Sequence, residues 1–315
     1  MQLTKQIHRT DIEPHMSVLK GWLRGNVVGI YAGVKKKNGK KTGEWSIVMH
    51  VQQKKSADRL ALDKDTPIPP FIELPIAQRD GGTEMVKVPT DVQEVGLFSD
   101  DPDPLYTNPY ERMRPCPGGY CVQPQGLNQR GTLGANITIN GQYRMISCNH
   151  VLSVNGQYTQ IYQPDTTNNL NFLCPVSGFE FMYTYPTNDV FDPMYNDTDL
   201  AWCNITPQDG APNVAEIGTP VGFADPVVDE EVKYFGSFTG LNETNLASTT
   251  YLGIMKVFGN RYAWFQNMIV LTDNVQMAGD SGSVLINGQM QIVGMMCGGN
   301  MFRALACRIP LNVIQ

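Results

Sequence analysis

Residues 279–283 read Gly-Asp-Ser-Gly-Ser and lead directly into the apolar residues 284–286. This pattern predicts a tight glycine turn that feeds a buried strand, with Ser281 projecting from the turn. Glycine tolerates backbone angles that let the N–H groups of Gly279 and Ser281 point at one spot, where they would hold an oxyanion. A serine needs such an anion site and a neighbouring base to act as a nucleophile. We therefore predict that Ser281 is a catalytic nucleophile rather than part of an ordinary surface turn.

The chain contains four histidines, and their sequence contexts differ. Two lie in a polar stretch close to the N-terminus, and His50 lies in a run that alternates like a strand. His150 follows the strand-like residues 143–148, which predicts a position at the short turn where that strand ends. A rigid element of this kind holds a general base in place. His150 is therefore the predicted base for Ser281.

The imidazole of a general base needs an acceptor that fixes its tautomer and stabilises its charged form. Two carboxylates compete for this role, Asp197 and Asp199. Asp199 directly precedes the apolar residues 200–203, so it can be buried at the start of a strand and still reach a histidine. Asp197 lies further out in a polar turn. We predict Asp199 as the third member of the catalytic set.

The three residues run along the chain in the order His, Asp, Ser, which is the order of chymotrypsin-like peptidases. Four segments resemble the trypsin-like serine peptidases of that fold, including their bacterial and plant relatives: residues 148–152 (Cys-Asn-His-Val-Leu, histidine loop), 199–201 (Asp-Leu-Ala), 279–282 (nucleophile loop) and 293–299 (pocket strand). The resemblance covers about residues 115–315. It implies a double β-barrel, peptide-bond hydrolysis and no cofactor or metal.

The resemblance also implies where a substrate side chain would bind. Val275 takes the position at the base of the specificity pocket, and Cys297, Gly298 and Gly299 take the pocket-lining strand. A valine there supplies no charge, so an apolar, uncharged residue is expected before the scissile bond. A different length of the preceding loop would bring Asp273 to the pocket instead.

Many short strand candidates support a barrel or sandwich in this region. Residues 131–146 read as a hairpin whose Asn140-Gly141 turn favours type I′. No amphipathic helix follows Ser281, which argues against an α/β-hydrolase, where the same serine motif needs a strand–turn–helix. Further strand candidates are residues 221–224, 232–238, 249–257, 262–271 and 289–296.

The first hundred residues are predicted to form a small α+β accessory domain. Residues 12–23 and 56–62 read as helices, a hairpin lies between them, and a last strand covers residues 85–95. This order resembles the domain that precedes the peptidase in plant narrow-leaf-type and related bacterial proteins. The predicted boundaries are residues 1–98 for this domain, 99–114 for a proline-rich linker and 115–315 for the peptidase domain.

Composition narrows the function classes further. The chain of 315 residues carries 24 basic and 30 acidic side chains, and its main basic run, residues 35–41, reads as a hairpin tip without interleaved aromatic residues. Nucleic-acid binding is therefore not predicted. No membrane-length apolar run or secretory signal is visible, and the seven cysteines are irregularly spaced. The expected location is the cytoplasm, with reduced thiols.

The sequence thus predicts a serine endopeptidase that acts on a protein substrate, and relatives of this kind often cleave one partner protein encoded nearby. Two other classes fit the same residues. One is a catalytically inactive peptidase fold that serves as a scaffold, and the other is an acyl hydrolase that does not cleave peptides. The sequence indicates neither the natural substrate nor the oligomeric state.

Overall fold

The structure is a computed structural model that describes residues 7–37, 40–63, 65–78, 81–96, 98–99, 111–153, 156–273, 276–300 and 302–310. Strands dominate these ranges, and the predicted mainly β class is confirmed. No helix within them is both long enough and apolar enough to span a bilayer.

The first described residues form short helical turns rather than the single helix predicted for residues 12–23. Pro14 has no N–H to donate to the preceding turn, and α and 3₁₀ turns alternate around it. Ile12, Leu19 and Leu23 are buried together, so the turns still present one apolar face. The bounds are α1 Arg9–Ile12, a 3₁₀ turn Glu13–His15, α2 Met16–Leu19 and a 3₁₀ turn Lys20–Trp22.

The hairpin and the second helix predicted for the N-terminal part are present. Ser56 caps the helix, because its hydroxyl accepts from the N–H of Arg59 at 3.4 Å. Residues 38 and 39, within the hairpin tip predicted at residues 35–41, lie outside the described residues. The elements are β1 Val27–Lys37, β2 Lys40–Val51, α3 Ala57–Leu62, β3 Phe71–Ala77, β4 Thr83–Glu94 and β5 Phe98–Ser99.

The middle of the chain forms two four-stranded sheets over one shared apolar core. Asn140 and Gly141 both have positive φ, 51° and 76°, as the predicted type I′ hairpin requires. The elements are β6 Cys116–Gly118, β7 Cys121–Pro124, β8 Gly131–Thr132, β9 Ala135–Ile139, β10 Gln142–Ser147, α4 Asn149–Leu152, β11 Gln160–Tyr162, a 3₁₀ turn Asn169–Asn171, β12 Phe172–Pro175, β13 Gly178–Phe179, β14 Tyr195–Asn196, β15 Ala201–Asn204 and β16 Gly210–Val214. The sheet orders are β13-β15-β10-β9 and β12-β11-β7-β8.

The C-terminal part contains a closed ring of strands. Its elements are β17 Gly222–Phe223, β18 Glu231–Gly236, β19 Gly240–Val257, β20 Arg261–Leu271, β21 Val284–Asn287, β22 Gln291–Gly299 and β23 Ala304–Cys307. The order β20-β23-β22-β21-β18-β19 closes on itself, because β19 also pairs with β20. This closed ring is the counterpart of the second barrel that the resemblance implied.

The N-terminal strands are joined to this ring by hydrogen bonds. Strand β1 pairs with β19 through Gly29 opposite Gly253, and the sheet continues in the order β19-β1-β2-β4-β3. A Cβ on Gly29 would lie 1.5 Å from the Tyr251 hydroxyl, so only glycine at this position leaves room for the Tyr251 side chain. The division of the chain at residue 98 stays a prediction.

Candidate active site

His150 lies on α4, a single helical turn directly after β10. Both His150 and Asp199 are only 1% exposed. The Nδ1 atom of His150 is hydrogen-bonded to Oδ2 of Asp199, and the backbone N–H of His150 donates to Oδ1 of the same carboxylate at 3.1 Å. Two atoms of one residue therefore orient the carboxylate, and the carboxylate in turn fixes the imidazole ring.

Asp197, the alternative acid, lies elsewhere. It is exposed, and its Oδ1 accepts from Nε2 of Gln266 at 2.9 Å and from Nδ2 of Asn267 at 3.2 Å. Asp199 is positioned by the chain on both sides, since its carbonyl accepts from the N–H of Asn149 at 3.2 Å and β15 begins two residues later. The structure brings Asp199, and not Asp197, to His150.

The turn at residues 279–283, predicted to carry the nucleophile and called the nucleophile turn below, has the backbone that its two glycines suggested. Gly279 and Gly282 have φ values of 103° and 99°, in the region that favours glycine. A Cβ on Gly282 would lie 2.1 Å from Oγ of Ser147 and 2.2 Å from the carbonyl oxygen of Thr132. Ser281, between these glycines, is 6% exposed. The turn can therefore close only with glycine at position 282.

Thr132 holds this turn at two points, and sequence reasoning did not identify it. Its N–H donates to the carbonyl of Ser281 at 2.8 Å, and its hydroxyl donates to the carbonyl of Gly279 at 2.7 Å. Ser237 adds a second hydroxyl donor to the Gly279 carbonyl at 2.9 Å. No sequence motif marks either residue, because the backbone carbonyls that they bind are distant along the chain.

One carbonyl oxygen connects the histidine segment to the nucleophile turn. The oxygen of Met296 in β22 accepts from Sγ of Cys148 at 3.1 Å and from the N–H of Gly282 at 2.7 Å. The neighbours of Gly131 agree with this placement: a Cβ there would lie 2.5 Å from Val151 and 3.1 Å from the Ser281 carbonyl oxygen. The segments that carry His150 and Ser281 therefore lie side by side.

The predicted oxyanion donors are the N–H groups of Gly279 and Ser281. Within the described ranges, neither N–H donates to another protein group. The carbonyl of Asp280 accepts from the N–H of Ser283 at 3.0 Å and from the Ser283 hydroxyl at 2.6 Å, which fixes the peptide plane that carries the Ser281 N–H. A backbone donor that is fixed but uncommitted, as the Ser281 N–H is, is what an oxyanion site requires.

Asp280 faces away from the solvent and is fully satisfied by its surroundings. Its carboxylate accepts from the N–H groups of Met277 (2.9 Å), Phe238 (3.1 Å) and Thr239 (3.1 Å), and from the Thr239 hydroxyl (2.9 Å). Burial raises the pKa of this carboxyl, and the hydrogen bonds counteract the rise. A Cβ on Gly236 would lie 2.1 Å from Oδ1 of Asp280, so that position also needs glycine.

The predicted pocket residues divide into three groups. Val275 lies outside the described residues. Gly298 and Gly299 lie at the end of β22, opposite Leu305 and Ala304 of β23. The Cys297 thiol is buried and contacts Sγ of Cys307 at 3.2 Å, so only its backbone is available to line a pocket.

Gln276 is a pocket neighbour that the sequence did not indicate. A Cβ on Gly299 would lie 2.7 Å from its Oε1 atom, so the amide lies over that glycine. This Oε1 is buried and has no hydrogen-bond partner among the residues that the structure describes. The Asp273 carboxylate accepts from Thr272 at 3.1 Å and from Thr244 at 3.4 Å, so it is engaged on the surface.

A group of possible metal ligands coincides with this site. One ligand atom each from Cys148, His150 and Asp199 lie within 4.8 Å of one another. The imidazole Nδ1 of His150 and the Asp199 carboxylate are hydrogen-bonded to each other. Burial raises the pKa of the Cys148 thiol well above its usual range. Since a metal binds the thiolate, this cluster is better suited to proton chemistry than to metal binding.

No protein-family model and no curated protein sequence matches the chain. Among solved structures, an α-lytic protease homologue (N4) is 16% identical over 63% of this chain and 95% of its own, with a TM-score of 0.46. Thermobifida fusca protease A is 18% identical over 63% of this chain and 92% of its own, with a TM-score of 0.43. A glutamic acid-specific serine protease is 15% identical over 61% of this chain and 92% of its own, also at 0.43. Identities this low leave the chemistry of the chain to be judged from its own residues.

Proposed function

We propose that this chain is a serine endopeptidase that cleaves a protein substrate through an acyl-enzyme. The observation that carries the proposal is the buried His150–Asp199 pair beside the glycine turn of Ser281. A buried imidazole oriented by a carboxylate, next to a serine with uncommitted backbone donors on its turn, is the arrangement that activates a hydroxyl nucleophile.

In the proposed reaction, Oγ of Ser281 attacks the peptide carbonyl while Nε2 of His150 takes its proton. Asp199 holds the Nδ1–H tautomer and stabilises the imidazolium. The N–H groups of Gly279 and Ser281 stabilise the oxyanion, with about 3–4 kcal/mol for each donor in comparable sites. His150 then gives the proton to the leaving amine, and water, deprotonated by the same imidazole, hydrolyses the acyl-serine.

A fluorophosphonate probe tests this proposal directly, because it labels only a serine that a base has activated. We expect stoichiometric labelling at Ser281, located by peptide mass spectrometry, and none in the Ser281→Ala variant. The absence of labelling in the folded protein would favour an inactive scaffold. Labelling and turnover of small esters without cleavage of any peptide library would favour a non-proteolytic acyl hydrolase.

The proposal includes activity without proteolytic activation. In secreted relatives, a newly cut N-terminal amine pairs with the aspartate that precedes the nucleophile. Here the carboxylate of Asp280 already accepts hydrogen bonds from Met277, Phe238 and Thr239 of its own surroundings. The intact chain is therefore expected to label, and a requirement for cleavage near residue 115 would contradict this part.

The proposed setting is the cytoplasm, with a protein substrate and no nucleic acid. All seven cysteines are buried and free, including Cys297 and Cys307, whose sulfur atoms are 3.2 Å apart without being bonded. Free thiols are typical of a reducing compartment.

We predict a neutral residue at P1, before the scissile bond, with Leu, Phe or Met preferred. Asp273 is engaged by Thr272 and Thr244, and Gly299 has the neutral amide of Gln276 beside it. A buried P1 ammonium without a carboxylate partner would cost several kcal/mol. Cleavage of a peptide library, read by mass spectrometry, measures the preference; a strong preference for Lys or Arg would contradict the prediction.

A further inference from the structure

The short strand β5 lies at the same edge of β22 as the nucleophile turn. Ser99 pairs antiparallel with Gly299 of β22. On the other side of β5, Phe98 and Ser99 pair in parallel with Met255 and Lys256 of β19. Strand β5 therefore lies between β19 and β22 of the C-terminal ring. It comes from the end of the N-terminal part of the chain, more than 150 residues before either partner.

The pairings of β22 show which edge β5 occupies. Strand β23 takes one edge, where Ala304 lies opposite Gly299. The other edge is shared: Val284 of β21 lies opposite Met295, and Gly282 of the nucleophile turn bonds to the Met296 carbonyl at 2.7 Å. Since a strand has only two edges, Ser99 must lie on this second edge, in line with the nucleophile turn.

An extended peptide whose scissile carbonyl reaches Ser281 would run along this same edge and pair with it by strand addition. It would meet Gly299 where Ser99 now lies. We propose that the segment Phe98–Ser99 occupies the strand-binding edge for the substrate and must leave it before an extended substrate can bind. This inference rests on the proposed peptidase function. It adds that a segment of the chain itself competes with the substrate for the edge of β22.

The chain before the segment Phe98–Ser99 is anchored, which keeps the segment close to the edge of β22. Val95 is buried, its N–H donates to the carbonyl of Val51 at 3.0 Å, and its own carbonyl accepts from the side-chain amide of Asn300. Asn300 directly follows Gly299 at the end of β22. Because the tether between Val95 and Ser99 is only a few residues long, the effective concentration of the segment at the edge is high. Two residues of pairing give little affinity of their own, so displacement remains feasible.

Release of the segment tests the proposal in one direction. Ser99→Pro removes a backbone N–H and disrupts strand pairing, whereas Ser99→Ala keeps the N–H and serves as the matched control. If the segment occupies the edge about nine-tenths of the time, release raises kcat/KM for extended peptides by about tenfold, mostly through KM. Hydrolysis of a small ester and labelling by a fluorophosphonate need no strand pairing and should not change.

Locking the segment tests it in the other direction. Opposite residues of neighbouring strands lie close enough for a disulfide, so the double variant Ser99→Cys with Lys256→Cys should cross-link under oxidant. The oxidised form should lose at least about tenfold in kcat/KM for extended peptides and regain it with dithiothreitol. Lys256→Cys alone is the control, and the native cysteines are all buried.

The outcomes separate this inference from the function on which it rests. Labelled protein in which release and locking leave peptide cleavage unchanged would overturn the inference and leave the peptidase intact. Failure of the cross-link to form would also overturn it. The absence of labelling in every variant would overturn the peptidase function and this inference with it. If Ser99→Pro does not fold, as a lowered Tm would show, the reversible cross-link still decides.

Discussion

Asp199→Asn is expected to lower kcat/KM for peptide cleavage by about 10⁴, and Ser281→Ala and His150→Ala by about 10⁶. The Asp199 carboxylate accepts from both the ring and the backbone N–H of His150. An amide at this position offers only one acceptor oxygen for two donors, so its NH₂ group would oppose a donor or select the wrong tautomer. The three variants act on one unit, so combining them should add little further loss.

Asp197→Asn is the matched control for this series. It is exposed, and its partners Gln266 and Asn267 are neutral amides that can bond to an amide as well. Its kcat/KM should stay within about twofold of the unmodified chain, since surface changes away from a site are small. Circular dichroism and Tm establish that each variant folds. A severe loss in Asp197→Asn together with a tolerated Asp199→Asn would show that the acid is wrongly assigned.

Gly282→Ala is expected to destabilise the protein by about 2–5 kcal/mol and to abolish labelling at Ser281. Its φ of 99° is unfavourable for alanine, and the added methyl would lie about 2 Å from Ser147 Oγ and from the Thr132 carbonyl. The backbone oxygen of Thr132 cannot move aside without disturbing the bonds that Thr132 makes to the turn. Relief of the clash would therefore displace Ser281 within its turn.

Gly288→Ala provides the comparison for this substitution. Gly288 lies a few residues further along the chain, on the far side of β21, and a Cβ there would have no heavy atom of the described residues within 4 Å. Its Tm and labelling rate should match those of the unmodified chain. Equal free energies of unfolding for the two alanine variants, measured by denaturant titration, would contradict the steric account of Gly282.

Structure was predicted best from the sequence where the residue types themselves determine the backbone conformation. The Asn140-Gly141 turn was identified because few residue pairs accept positive φ twice in succession, and the structure has both angles positive. The glycine turn around Ser281 was identified for the same reason. Asp199 was distinguished from Asp197 by the apolar run that follows it, and the structure places that carboxylate at His150.

The sequence predicted least where distant segments meet. Thr132 holds the nucleophile turn from about 150 positions away, and Met296 contributes only its backbone carbonyl, which any residue type could supply. The pairing of β5 with β22 also has no local signal, because strand partners are selected by long-range packing and register. The helix predicted for residues 12–23 was placed too late: the helical turns begin at Arg9, so Pro14 lies in their interior, where its missing N–H interrupts the α-helical hydrogen bonds.

The hydrogen-bonded contact between β1 and β19 affects any attempt to express residues 115–315 alone. Expression of residues 115–315 alone would strip the outer edge of β19 near Leu252 and Gly253 and uncover Trp264, which packs in the same apolar cluster as the N-terminal strands. An unpaired strand edge beside exposed apolar surface promotes self-association. A truncated protein should therefore aggregate or form edge-to-edge dimers, and purification strategies should retain the first ninety-nine residues.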